Sequence, residues 1–367
     1  MDLSKAFDCL PHCLLICKLR AYGFTESACL LITSYLTKRK QRVKLGQSRS
    51  TWSYIVKGVP QGSILGPVLF NIFIHDVYYF VQFCSLYNYA DDNSLFYSHQ
   101  NADELVHVLK SDTETAVNWF HINGMQANPG KFQLIISHRT DKRIVQMNVN
   151  DIIITSSNTV KLLGITFDSE LTFNDHISVT CKKASRQLNV LKRFSAILSR
   201  KNKELIFQSF ILSHFNYCSV VWNFCRKKKV RQLEKIQERA LRFVCNDFNS
   251  TYMDLLKICS REPLYVTRTK CLAVQVYKSV NSLSPAYLNS LFVIKECEYN
   301  LRNSISLNQP VVNTVPYGLM SLRYHGPKIW NSLSNEIKSA KSLREFKFML
   351  KQVSGNVCSC SFCSLTL

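Results

Sequence analysis

The chain has 367 residues, room for two or three domains of ~100–200 residues each. Hydrophobic residues make up 46% and charged residues 19%, which excludes a disordered tail or a low-complexity scaffold and leaves a sizeable core to bury. Lys and Arg number 46 against 25 Asp and Glu, a net charge of +21, so the expected partner is a polyanion: nucleic acid first, an anionic membrane surface second.

The first seventeen residues read as a strand end, a tight turn and a helix, with Leu14, Leu15, Cys17 and Leu19 on its apolar side and Gly23 closing it. A second helix is predicted from Glu26 to Lys38. Residues 41–43 and 52–56 then read as paired strands around Gly46. Gly58 to Gly62 forms a loop, and Ser63 to Tyr79 an apolar helix with Leu65, Leu69, Ile72 and Phe73 at helical spacing. Residues 83–88 and 94–97 read as two strands, with Tyr89-Ala90-Asp91-Asp92 as the tight turn between them. An amphipathic helix follows from Asp103 to Phe120, carrying Leu105, Leu109, Ala116, Trp119 and Phe120, and ends near Asn123-Gly124. Strands are expected over 131–137, 145–149, 152–155 and 160–167, with Asn150-Asp151 as a turn.

From about Asp175 the pattern turns helical and basic. Residues 181–245 hold sixteen Lys and Arg against three acids, Glu204, Glu234 and Glu238. Within this window Leu233, Ile236, Ala240 and Phe243 form one stripe of a helix from Arg231 to Val244, with the charges on the other face. That face, with the run Arg226 to Lys229, suits phosphate contact. Beyond residue 251, Ser284-Pro285 starts a helix, Gly326-Pro327 precedes another, and Ser342 caps Leu343 to Gln352. That last region offers no nameable chemistry.

No run of ~18 residues is free of polar breaks; the stretch from Ile206 to Phe224 is interrupted by Gln208, Ser209, His214 and Asn216. The start has no basic-then-apolar signal pattern. The expectation is an intracellular chain, nuclear or in a cytoplasmic ribonucleoprotein, neither secreted nor membrane-bound. The fifteen cysteines are odd in number and scattered, against a disulfide framework. Cys9, Cys13 and Cys17 are spaced to share one helix face as small hydrophobes. Cys358, Cys360 and Cys363 lack a nearby fourth ligand for zinc, the last histidine being His325.

Acids sit at two suggestive places, Asp2 and the pair Asp91-Asp92. Two adjacent acids at a hairpin tip are ordinary turn chemistry. They are also what nucleotidyl transfer uses, because two divalent cations ~3.5–4 Å apart need carboxylate oxygens from neighbouring strands, with substrate and water completing the shell. The order of sequence blocks carries more. Asp2-Leu-Ser-Lys-Ala-Phe7-Asp8 comes first, then Gly58-Val-Pro-Gln-Gly-Ser-Ile-Leu-Gly-Pro67 and Leu69-Phe-Asn-Ile-Phe-Ile-His-Asp76. Tyr89-Ala-Asp-Asp92, Asn128-Pro-Gly-Lys131 and Leu162-Leu-Gly-Ile-Thr166 complete the series.

From Asp2 to about Gln352 this order resembles the reverse transcriptase of non-LTR retrotransposons, of the jockey and chicken-repeat kind. The resemblance implies an α+β fold: a right-hand polymerase palm, antiparallel sheet with packed helices, over 1–172 and including the primer grip. A basic helical thumb over 173–250 and a mostly helical C-terminal region over 251–367 would follow. It implies an RNA-directed DNA polymerase that extends a DNA 3′ end, from a primer or nicked target DNA, on an RNA template with deoxynucleoside triphosphates. Asp2, Asp91 and Asp92 match the catalytic acids, and with the Leu3 carbonyl they match the ligands of two Mg2+ ions, for which Mn2+ can substitute. Phe7 matches the aromatic gate against a ribonucleotide 2′ hydroxyl, Gln61 and Gly62 the incoming-nucleotide contacts, and Lys131 the basic residue at the triphosphate. Leu163 and Gly164 match the primer grip.

One departure bears on activity. Met1 alone precedes Asp2, so most of the fingers and the strand carrying Asp2 are expected to be missing, with Asp2 on a frayed terminus. The alternative reading is an inactive remnant that binds nucleic acid only through its basic thumb.

Overall fold

The computed structural model describes residues 1–137, 144–295 and 306–353. They fall into two compact units. Unit 1 holds Met1–Ile136 and continues to Leu163, and unit 2 runs from Gly164 onward and includes Ser137. The three terminal cysteines lie outside the described residues.

Unit 1 begins with β1 (Leu3–Ser4), α1 (Ala6–Cys9), α2 (His12–Ala21) and α3 (Glu26–Leu36). Leu15, Ile16, Lys18 and Leu19 form the buried side of α2. Lys18 is buried, its Nζ donating to Asp76 Oδ1 at 2.7 Å and to the Phe73 carbonyl at 2.9 Å, so the charge enters the core with its partners. A two-layered ribbon follows. Its outer pair is β2 (Lys40–Gln41) with β5 (Ser53–Tyr54), and its inner pair is β3 (Lys44–Leu45) with β4 (Ser48–Arg49) around Gly46. Helix α4 (Leu65–Ile74) buries Leu69, Phe70, Phe73 and Ile74 and tightens into a 3-10 turn over His75–Tyr79.

The hairpin β6 (Ser85–Tyr89) and β7 (Asp92–Phe96) comes next, then α5 (Ala102–Ile122), capped by Asn101 Oδ1 accepting from the Asp103 N–H at 2.9 Å. On α5 the buried Asp112 accepts from the N–H groups of Phe83 (2.9 Å) and Cys84 (2.6 Å). That carboxylate anchors the entry of β6 to the helix. Strands β8 (Gln126–Ala127), β9 (Gln146–Val149), β10 (Ile152–Thr155) and β11 (Thr159–Leu162) complete the unit, β8 pairing with β1 and β9 with β10.

Unit 2 starts at β12 (Ile165–Asp168) and is otherwise helical. Helix α6 (Asn174–Lys192), then α7 (Arg200–Ile206), a wider π-type turn at Phe207–Leu212, α8 (Ser213–Asn216) and α9 (Ser219–Trp222) lead to α10 (Lys227–Cys245). Then come α11 (Tyr252–Ile258), α12 (Leu264–Val280), α13 (Ala286–Asn289), α14 (Leu322–Ser332), α15 (Asn335–Lys338) and α16 (Leu343–Gln352). Leu233, Ala240, Leu255 and Leu264 share one core with Ile177 and Leu188, while Val276, Tyr277, Trp330 and Phe346 belong to a second. Helix α12 contributes to both. No break in packing marks residue 251.

Several expectations need correcting. Cys13 and Cys17 are exposed, because α1 ends at Cys9 and α2 turns Leu15, Ile16 and Leu19 inward instead. Residues 131–137 form no strand; Leu134 alone bridges to Ser156. The stretch 160–167 is two strands, since Leu163 (φ 46°) and Gly164 (φ 84°) both take left-handed backbone and turn the chain. Pro327 lies inside α14 rather than before it, Ser321 capping that helix through the Tyr324 N–H. The packing explains Gly326: a Cβ there would stand 2.3 Å from Phe292 Cε1.

Candidate active site

The hairpin β6–β7 carries the acid pair. Tyr89 faces Asp92 across the ladder, so the turn itself is Ala90-Asp91, and Asp92 is already strand. Ala90 has φ 52°, a conformation that glycine normally supplies at the first position of such a turn. A non-glycine residue held there stores local strain of the sort found at functional sites. Along the ladder Leu86, Asn88, Asn93 and Leu95 face one way and Tyr87, Tyr89 and Asp92 the other.

Asn93 locks the tip. It is 1% exposed, its Oδ1 accepts from Asn88 Nδ2, and its Nδ2 donates to the Asp91 carbonyl at 2.9 Å. Its backbone also makes reciprocal bonds with Met1: Asn93 N–H to the Met1 carbonyl at 3.1 Å, and the Met1 ammonium to the Asn93 carbonyl at 2.5 Å. A reciprocal pair is the mark of antiparallel pairing, so the next residues along, Asp2 and Asp92, stand opposite each other on the same face. Both are half-buried, while Leu3 and Asn93 point into the core. Burial holds the Met1 ammonium below its ordinary pKa, and the Asp92 and Asp2 charges partly offset that.

The other edge of β1 is held by β8. Leu3 pairs with Ala127 and Ser4 with Gln126, and the Asn128 N–H donates to the Asp2 carbonyl at 2.9 Å. Asp2 therefore turns its backbone toward β8, and Leu3 turns its carbonyl to the opposite side, that of the β6–β7 turn. The expectation of a frayed Asp2 is thus overturned: both neighbours of its strand hold it. Beyond Asn128 the chain makes a short 3-10 turn over Pro129–Lys131, which brings Lys131 Nζ to 3.0 Å from Asp2 Oδ2. Lys131 is itself 65% exposed, free to swing toward a ligand.

Among the described residues no three His, Cys, Asp or Glu side chains converge into a self-sufficient metal cluster. What is present is a facing pair of hard oxygen donors with a lysine ammonium standing on one of them. That set fits a divalent cation whose remaining ligands come from substrate and water.

Residues 1–167 match the family described as reverse transcriptase (RNA-dependent DNA polymerase). The "Probable RNA-directed DNA polymerase from transposon BS" of Drosophila melanogaster is 27% identical over 256 residues, covering 66% of this chain and 28% of the relative. The "RNA-directed DNA polymerase from mobile element jockey" of Drosophila funebris is 26% identical over 256 residues, 66% of this chain and 27% of the relative. A "Retrovirus-related Pol polyprotein from type-1 retrotransposable element R2" of Popillia japonica is 27% identical over 188 residues, 46% of this chain and 30% of that protein. The region bearing the acids is thus similar to reverse transcriptases, and the relatives named here are polymerases of mobile elements. The match spans less than a third of each relative's length.

The remaining expected residues fall in separate places. Phe7, on α1, stacks on Phe70 with ring centroids 4.5 Å apart, and its carbonyl accepts from the Val59 N–H at 2.9 Å. Gln61 donates through Nε2 to both oxygens of Asp8, at 3.0 and 3.1 Å. Gly62 has φ 79° but open space where a Cβ would stand, so backbone conformation, not close approach, demands glycine there. The close approach is at Gly58 (φ 82°), where a Cβ would lie 2.6 Å from the Asp8 Cα. The Gly58 N–H donates to the Leu10 carbonyl at 2.8 Å and its carbonyl accepts from His12 Nε2 at 2.8 Å. Gly164, at the turn after Leu163, has Tyr217 as its near neighbour, 3.4 Å from an added Cβ.

In unit 2, α6 and α10 run parallel: Lys229 Nζ donates to Ser178 Oγ at 2.6 Å and Arg239 Nη2 to Asn189 Oδ1 at 3.3 Å. The expected stripe of Leu233, Ile236, Ala240 and Phe243 is buried. Lys182, Lys183 and Arg186 of α6 and Lys228, Arg231 and Lys235 of α10 are exposed. The first turn of α10 holds only cations, opposed to the positive end of the helix dipole, so folding alone does not favour them. Glu234 is buried. Its carboxylate accepts from the Tyr252 hydroxyl (2.6 Å) and from the N–H groups of Leu264 (3.1 Å) and Tyr265 (2.9 Å), capping α12.

The motifs point to the acids and Lys131. They pass over Asn93, Asp112, the strand-holding bond of Asn128 and the steric role of Gly58. For Asn128 the Asn-Pro-Gly turn signal was available; a lone Asn inside a strand announces nothing.

Proposed function

We propose that this chain carries the nucleotidyl-transfer site of an RNA-directed DNA polymerase, extending a DNA primer or nicked target DNA on an RNA template with deoxynucleoside triphosphates. One observation carries the reading: Asp2 and Asp92, ninety residues apart, face each other across a backbone-locked pair, with Lys131 on Asp2. Asp2, Asp92 and Asp91, with the Leu3 carbonyl, would hold two magnesium ions, manganese substituting. When bound, such ions neutralise the charge of the in-line displacement and lower the pKa of the attacking hydroxyl.

The chain's own residues position and exclude. Phe7, fixed against Phe70, stands as the wall that a ribonucleotide 2′ hydroxyl would strike. Gln61, ordered by Asp8, and Gly62 flank the incoming base. Lys131, displaced from Asp2 by a cation, neutralises the triphosphate and can protonate the departing pyrophosphate. Unit 1 with the Leu163-Gly164 turn acts as the palm and primer grip. The α6–α10 face acts as the thumb, holding a duplex by its phosphates without reading bases.

Primer extension on an RNA template with magnesium or manganese tests this. Asp92→Asn and Asp91→Asn should each lower extension at least about a hundredfold with unchanged thermal unfolding. Extension by either variant at the wild-type rate, or none by the wild type with either ion, would overturn the reading; the second result leaves a nucleic-acid binder.

A further inference from the structure

The ribbon of residues 38–57 is unlike the rest of unit 1. It holds seven Lys and Arg and no acid, a third of the net charge of +21. From residue 40 to 54 every side chain is exposed, an arrangement that no core of its own stabilises. The register explains its design. Lys40 pairs with Tyr54 and Gln41 with Ser53, whereas Lys44 pairs with Arg49 and Leu45 with Ser48. The two pairings differ by one residue, so the second strand carries a bulge near Thr51. Period-2 alternation then places Lys40, Arg42 and Lys44 on one face, opposite Tyr54, Trp52 and Arg49.

The side chains agree. Lys40 Nζ lies 4.5 Å from the Tyr54 ring centroid and the Arg42 guanidinium 4.5 Å from that of Trp52. Trp52 is 57% and Tyr54 64% exposed. One face of the ribbon is thus four cations interleaved with two exposed aromatic rings, each with a cation over one side and more than half of its residue's surface still exposed. Cations alone would serve any polyanion. Exposed rings set between them match a chain that offers phosphates and unpaired base faces together, which a duplex, with its bases stacked inside, does not.

We propose that this face is a binding platform for single-stranded nucleic acid, with bases stacking on Trp52 and Tyr54 and phosphates contacting Lys40, Arg42, Lys44 and Arg49. The site shares no residue with the acid pair and Lys131, and its occupancy is measured without metal, nucleotide or catalysis, so it stands or falls apart from the polymerase reading.

Trp52 supplies the readout. The other tryptophans, Trp119, Trp222 and Trp330, are 4%, 0% and 0% exposed, so acrylamide quenching of tryptophan emission reports Trp52. With a chelator present, saturating uridine or thymidine homopolymer should shield Trp52, reducing the quenching constant about twofold or more. A blunt RNA duplex bound through basic helices should leave it unchanged. The two homopolymers decide between RNA and DNA as the strand. Trp52→Ala with Tyr54→Ala should weaken single-strand binding about tenfold or more, and Trp52→Phe should restore it while removing the signal. Should the double alanine variant disturb folding, Lys40→Gln with Arg42→Gln serves instead: the log–log salt slope should fall by about 1.4. Unshielded Trp52 at saturation, equal shielding by duplex, or wild-type affinity and salt slope in the variants would each overturn the proposal.

Discussion

The two units use charge in opposite ways. Unit 1 sets a few charges at fixed points: Asp2 and Asp92 are placed by main-chain pairing, and Lys131 is delivered by a turn that follows β8, the strand paired with β1. Unit 2 spreads many cations over the outer faces of α6 and α10, on helices anchored by apolar side chains beneath. On the proposed reading this contrast has a reason: chemistry at a phosphorus atom tolerates little displacement of the acting groups, and short strands bonded on both sides hold Asp2 and Asp92 in place. Holding a polyanion needs density more than position, and a helix face supplies it.

If that contrast holds, damage in unit 1 should be steep and damage in unit 2 shallow. Asn93→Ala touches no substrate. It removes the bonds to Asn88 and the Asp91 carbonyl, which should cost about 1–3 kcal/mol of stability and lower primer extension more than tenfold, read by thermal melts and extension rates together. Lys131→Ala should lower the extension rate about tenfold without shifting the melt, Lys131→Arg recovering part. Lys235→Gln, one cation among many, should weaken duplex binding only about twofold and lower the salt slope by about 0.9. A tenfold loss there would erase the distinction.

The smallest effect is a pH dependence in unit 2. Burial, aided by Lys183, holds His176 below its ordinary pKa of 6.5, in keeping with its Nδ1 accepting from the Thr166 N–H at 3.3 Å. The unfolded chain then binds the extra proton first. His176 therefore favours the folded state above pH 6.5, and that advantage is lost as pH falls through and below this value. His176→Gln should flatten the unfolding midpoint over that range.

The helices were legible because their apolar residues recur at the right spacing. The stripe from Leu233 to Phe243 and the cap at Ser342, which accepts from the Glu345 N–H at 3.2 Å, both stand. Short strands were less so. Phe132, Leu134 and Ile136 alternate as a strand should, yet only Leu134 finds a bridge, because pairing needs a partner that local pattern does not specify. The acids and Lys131 were legible through their motif blocks. Their mutual placement was not, since it rests on Met1 meeting Asn93, a contact between residues far apart in sequence. Glu234 shows the same limit: it reads as one more charge on a polar face, and folding turns it inward to cap another helix.

Glu234 also alters the arithmetic of the basic region. Of the three acids between residues 181 and 245, it is sealed inside, Glu238 is engaged by Arg242 at 2.8 Å, and Glu204 by Arg261 at 3.1 Å. Each carboxylate is thus held by its own partners, and among the described residues the exposed Lys228, Arg231 and Lys235 of α10 face outward without one beside them in an ion pair. In a crude cell extract this surface should scavenge whatever RNA is abundant, so stringent salt washes and an ultraviolet absorbance ratio belong at the start of any purification.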